Sequence, residues 1–164
     1  MVSRDTLAII MVIYGDDIYP DIFIKVITMK NEISEADNQW LELFLDIYNE
    51  TKPTIEKVST LDSNGQPTDP STFLEAYRIL RPKLKSLEEL SKPKYKELRK
   101  LSKDFNKTLS MCLKAAEMME KFIDDTNAGA KFAGRMHLAS VVGYVNYTQS
   151  YHQFVQKHLD KIGI

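Results

Sequence analysis

The chain predicts an all-α fold, a single-domain bundle of about five to seven helices, and three observations carry that expectation. Apolar residues recur at alternating spacings of four and three, as in Phe73, Tyr77, Leu80, Leu84 and Leu87, the period of one helix face. Proline and capping residues stand where such runs begin, at Ser34, Pro53, Asp69-Pro70 and Pro93. Glycine and proline number only six each in 164 residues, so long irregular tracts are not expected. A chain of this length buries a real core as one domain.

The elements follow in order. Ser3 caps a first helix that stops at Gly15, and Pro20 sits in the first turn of a second that ends near residue 31. Together they make an apolar N-terminal helical hairpin. The run 22–27 (IFIKVI) also suits a β-hairpin. Helices are preferred because the rest of the chain offers a sheet nothing to pair with. Ser34 followed by Asp37 resembles a capping box and opens a helix to about residue 50. Its apolar face is Trp40, Leu41, Phe44, Ile47 and Tyr48, and its polar face is Glu35, Gln39, Glu42, Asp46 and Glu50. Pro53 starts a short helix to about residue 61.

Residues 62–69 (DSNGQPTD) form the clearest loop. Asp69-Pro70 then starts the next helix, and Pro82 predicts a kink or break near residues 77–81. Pro93 begins a long helix that ends around residues 125–127. The last helix runs from about 128 to 158. Between Phe132 and Tyr147 it is apolar or small on nearly every side, which predicts a buried, central helix. Gly129, Ala130, Ala133, Gly134, Ala139, Ser140 and Gly143 give it flat surface for a close neighbour.

Charge is distributed unevenly. Residues 1–77 carry 5 basic and 14 acidic side chains, a net of −9, whereas residues 78–107 carry 11 and 4, a net of +7. The loop 62–70 thus separates an acidic N-terminal half from a basic central and C-terminal half within the domain 1–164. On the long helix Lys92, Lys96, Arg99, Lys100, Lys103, Lys107, Lys114 and Lys121 fall within roughly 100° of one another, over a length on the order of 40 Å. Surface helices usually mix signs, because opposite charges at i,i+4 stabilise them. This stripe therefore predicts a partner-binding basic face. Glu35, Glu42, Asp46 and Glu50 form a matching acidic one.

Reactive chemistry is poorly represented. Asp62, Asn64 and Gly65 match three positions of a calcium loop, but Thr60 and Ser71 stand at its first and twelfth positions, so an Asx-type turn is expected. His137, His152 and His158 lack a second ligand at helical spacing, and no metal site is expected. Cys112 lies on an apolar face and reads as a small buried hydrophobe. If the chain reverses at residues 126–129, Glu120 faces Arg135 and Glu117 approaches His137, forming a structural polar cluster. No catalytic residue, cofactor or small-molecule substrate is evident. LAIIMVIY at 7–14 is too short to span a bilayer and lacks the flanks of a signal peptide, so a cytoplasmic protein with no membrane association is expected. The function that fits is a non-enzymatic helical interaction and assembly module, binding a protein partner or itself. Its alternative is a nucleic-acid-associated subunit touching the phosphate backbone through residues 92–121.

Overall fold

The computed structural model describes residues 33–67 and 69–164. The expected N-terminal hairpin, and its β alternative, lie outside the described residues. Among these there are four helices and no strand: α1 (Glu35–Val58), α2 (Pro70–Glu89), α3 (Lys96–Asn127) and α4 (Lys131–Ile162). The all-α class holds. From residue 33 onward the helices are fewer and longer than expected.

Both internal prolines explain the difference. Pro53 lies inside α1 and Pro82 inside α2. A proline within a helix removes one backbone hydrogen bond and costs about 3 kcal/mol. Beyond Pro53, Ile55 and Val58 are fully buried, and Leu80 and Leu87 bracket Pro82 in the core. Each such side chain contributes about 1.5–3 kcal/mol on burial. Continuing the helix therefore outweighs breaking it.

The start of α1 follows the capping rule in part. Ser34 Oγ accepts a hydrogen bond from the Asp37 N–H at 3.2 Å. The Asp37 carboxylate does not close the box. It is buried, and it accepts from the backbone N–H groups of Lys94 (2.7 Å) and Tyr95 (3.2 Å). Tyr95 is the N-cap of α3 and offers no side-chain cap of its own. One carboxylate thus ties the start of α1 to the approach to α3, and the approach segment 90–95 stays non-helical, so α3 begins at Lys96 rather than at Pro93.

The central helix is α3, not α4. Leu98, Leu101, Phe105, Thr108, Leu109, Cys112, Leu113, Ala115, Ala116 and Met119 are buried along it, and the other three helices pack around it. Aromatic rings form the joint with α1. Trp40, Phe44 and Tyr48 stack at i,i+4 steps, with centroids 5.1 and 6.0 Å apart. Phe105 meets Phe44 edge-on at 5.1 Å and Tyr48 at 5.5 Å, the geometry preferred by ring quadrupoles.

The helix α4 runs back antiparallel along α3. The turn is a Schellman motif, with Gly129 left-handed (φ 74°), Ala130 N–H bonded to Asp125 O at 2.8 Å and Gly129 N–H to Thr126 O at 3.1 Å. The expectation of a buried α4 is corrected. Only Gly134, Val141, Val145, Thr148, His152, Val155, Leu159 and Ile162 are buried on it, all on one side. Phe132 is 80% exposed, and Met136, Tyr147 and Phe154 are exposed as well. The helix is apolar on two opposite sides, and α3 covers one. Between Met119 and Val141, Gly134 alone is buried, so the end of the α3–α4 hairpin extends beyond the body of the bundle.

Truncating Phe105 to alanine is expected to destabilise the fold by about 3–5 kcal/mol. Asp37→Ala, which strips two backbone donors of their acceptor, is expected to cost about 1–3 kcal/mol. Urea unfolding followed by circular dichroism measures both. A loss under about 0.5 kcal/mol for Asp37→Ala, the scale of an ordinary surface substitution, would contradict its anchoring role.

Candidate interaction site

The basic ridge forms because α3 buries one face and leaves the other outside. Lys96, Arg99, Lys100, Lys103, Lys114 and Lys121 are exposed and Lys107 is half-buried. They lie opposite the buried row, as the helical spacing requires. Lys92 precedes the helix and joins the ridge from the 90–95 segment. Lys100 pairs with Glu97 at 3.1 Å, the one ridge cation in an ion pair with a described carboxylate. Lys107 Nζ lies 4.8 Å from the centre of the Tyr151 ring, and Lys114 Nζ 5.8 Å from that of Tyr144. The sequence shows no aromatics among these lysines, because the rings come from the facing helix α4.

Glu97 accepts a hydrogen bond from Lys100 through Oε1, and its Oε2 is ion-paired with Lys161, whose ammonium lies 3.2 Å away. The Lys100 hydrogen bond, then the Lys161 ammonium, holds its carboxyl below the usual glutamate value. Placing an anion in the first turn of α3 and a cation in the last turn of α4 suits both helix dipoles.

On α1, Glu35, Gln39, Glu42, Asp46 and Glu50 are exposed. Glu50 is engaged by Lys83 of α2, leaving Glu35, Glu42 and Asp46 as the outward acidic group. The expected cluster of Glu117, Glu120, Arg135 and His137 does not form. Glu117, Glu120 and Arg135 face solvent, and His137 Nδ1 meets Asp125 Oδ2 at 2.7 Å. The helices reverse across residues 128–130 rather than 126–129, which shifts every cross-helix pairing along α4.

Asp62 Oδ1 accepts from the N–H groups of Asn64 and Gln66, both at 2.8 Å, so the loop organises itself as an Asx turn. Among the described residues no group of three or more His, Cys, Asp or Glu side chains is placed to hold a metal, and no helix is long and apolar enough to cross a membrane. His158 Nε2 sits 3.0 Å from Asp104 Oδ2. His152 Nε2 and Tyr48 Oη are 3.2 Å apart in the core. Burial pushes the Cys112 thiol up to about 12, with the Thr148 hydroxyl pulling slightly the other way. A thiol held protonated is a poor nucleophile.

A cleft of about 450 Å³ lies where α1, α2 and α3 converge. Trp40, Leu87, Leu90 and Pro93 make its apolar floor, and Lys92, Arg99 and Lys103 line it with one carboxylate, Glu88, and with Ser102 and Asn106, so cations outnumber anions three to one. The Asn106 Oδ1 atom is buried with no hydrogen-bond donor among the described residues. Buried polar atoms are usually satisfied. The volume is in the range of ligand sites. A second cleft, about 580 Å³, carries Arg81 and Lys85 beside Glu88 and Glu117, so its charges offset one another.

No family model, curated protein or solved structure matches the chain.

Burial, ahead of the opposing influence of Glu56, lowers the pKa of His152 from 6.5. As pH falls through 6.5, the unfolded chain takes up a proton that the folded chain refuses until lower pH. The unfolded state then binds more protons, so His152 subtracts stability as the solution is acidified below about 6.5. Thermal unfolding of the wild type and His152→Gln at pH 7.5 and 5.5 checks this. The midpoint should fall less on acidification in the variant, and an equal fall would contradict it. Native Cys112 is expected to resist iodoacetamide at pH 8 until the chain unfolds, as read by mass spectrometry.

Proposed function

We propose that this protein is a non-enzymatic helical interaction module, whose basic face receives an acidic segment of a protein partner. The observation that carries this reading is the cleft at the start of α3. Three cations, Lys92, Arg99 and Lys103, with no ion pair to a described carboxylate, outnumber the single carboxylate of Glu88 around a floor of Trp40, Leu87, Leu90 and Pro93. Cations alone would suit any anion. Combined with an apolar floor, they suit a peptide that alternates carboxylates with a large apolar side chain. The apolar group gains about 1.5–3 kcal/mol on burial, and the carboxylates set orientation and association rate.

Self-assembly is a variant of the same reading. Glu35, Glu42 and Asp46 of one copy complement the ridge of the next, a head-to-tail contact that builds rings or filaments. The nucleic-acid alternative draws on a different observation. The ridge continues from Lys96 to Lys121, about 38 Å, well past the cleft, with Tyr151 and Tyr144 beside it. Lysines spaced along a straight line neutralise phosphates without reading bases.

Trp40 is the only tryptophan in the chain and lies in the cleft floor, so its fluorescence reports occupancy directly. Titration at about 50 mM salt, where charges are weakly screened, with an acidic peptide carrying leucine or phenylalanine should shift its emission. The double substitution Arg99→Glu, Lys103→Glu should weaken that binding at least about tenfold, some 1.4 kcal/mol, with the thermal midpoint nearly unchanged because both side chains are exposed. Silence toward every acidic peptide up to hundreds of micromolar, alongside salt-dependent binding of single-stranded RNA or duplex DNA, would replace this reading with the nucleic-acid one.

A further inference from the structure

Beyond the charged faces, α4 carries an outward row that nothing in the described chain covers. Phe132, Met136, Ala139, Gly143, Tyr147, Ser150 and Phe154 recur at steps of 4, 3, 4, 4, 3 and 4 residues. At 100° per residue they share a stripe about 80° wide. Four of them are large and exposed: Phe132 80%, Met136 57%, Tyr147 59% and Phe154 46%. Contiguous apolar surface of this kind marks an interface.

Three features specify what lies there. First, the steps repeat every eleven residues, about 3.67 per turn, the period at which two helices keep one stripe in contact with a slight right-handed supercoil. Second, the 21 residues 136–156 contain no Asp, Glu, Lys or Arg. A surface that pairs with its own copy brings equal charges together near the symmetry axis, so an uncharged centre is what self-pairing requires. Third, Gly143 occupies the middle of the row, and a Cβ placed on it would meet nothing within 4 Å. Glycine inside a helix is less stable than alanine, and no contact within the described chain demands it.

We infer that the outer face of α4 is a homodimer interface in which two copies of α4 pack antiparallel about Gly143. Around that centre the row is complementary in size. Met136 of one copy lies opposite Ser150 of the other, Ala139 opposite Tyr147, and Phe132 opposite Phe154. Each pair but the last matches a large side chain with a small one, as interdigitating helices do. Glycine at the crossing lets the two backbones approach. The contact, about 33 Å by 10 Å on each copy, is smaller than a standard specific interface, so weak association, at micromolar concentrations or above, is expected.

Sedimentation velocity of the full chain, from about 1 to 200 μM to bracket that range, tests the inference. A dimer that persists when salt is raised is expected, since the contact is apolar and uncharged. Tyr147→Glu and Met136→Lys, both at exposed positions, should each weaken it about tenfold or more while helicity stays the same. Arg99→Glu, Lys103→Glu should leave it unchanged, which separates this interface from the basic site. Cysteine cross-linking fixes the orientation, and buried Cys112 stays silent in it. Gly143→Cys should form a disulfide dimer rapidly. Met136→Cys alone should not, because its two copies lie about 21 Å apart, yet it should cross-link when mixed with Ser150→Cys. A chain that stays monomeric throughout, or a Met136→Cys protein that cross-links with itself, would overturn the proposal. Coverage of the face by residues 1–32 of the same chain would give the monomeric result.

Discussion

Everything in the described structure depends on one division of α3, between a face sealed in the core and a face left wet. The buried row from Leu98 to Met119 gives α1, α2 and α4 a common surface. Without it, α1 has no partner for its aromatic ladder and α4 has no helix to run back along. The same division sets the charges. Lysine loses too much solvation to enter the core, so every ridge cation is driven to the side that the other helices leave open. The basic face is the complement of the core, built by the same helical period.

Two polar anchors fix how the surrounding helices approach α3. Asp37 holds the segment before it through the N–H groups of Lys94 and Tyr95, and Glu97 joins its first turn to the last turn of α4 through Lys161. Both act at the same end of the bundle, beside the cleft floored by Trp40. The opposite end, past Met119, has only the His137–Asp125 contact, the buried Gly134 and the partly buried Phe122 and Ile123. The molecule is consequently best held together where its unpaired cations gather, and least enclosed at the hairpin tip.

Much of this was legible from residue order. The helical periods, the caps at Ser34 and Asp69-Pro70, the opposed faces of α3 and the buried character of Cys112 all follow from local spacing. What was not legible was non-local. Pro53 and Pro82 read as breaks because propensity is a local property, whereas the packing of Ile55, Val58 and Leu87 that overrides it is not. Asp37 read as one half of a capping box, since its true partners lie some sixty residues away. Residues Glu117 and Glu120 were paired with Arg135 and His137 from an assumed turn, and a small shift in the turn moved every partner. The composition of α4 between Phe132 and Tyr147 shows two apolar sides but not which of them the chain itself covers.

That α3 is the structural centre, and the hairpin tip an extension of it, is tested most directly by native-state hydrogen exchange at concentrations where the chain is monomeric. Amides of residues 101–116 should exchange last, with the free energy of global unfolding, while those of 122–138 open earlier and locally. If the tip were as protected as the middle of α3, or if α3 opened before α1 and α2, the bundle would be organised around a different helix.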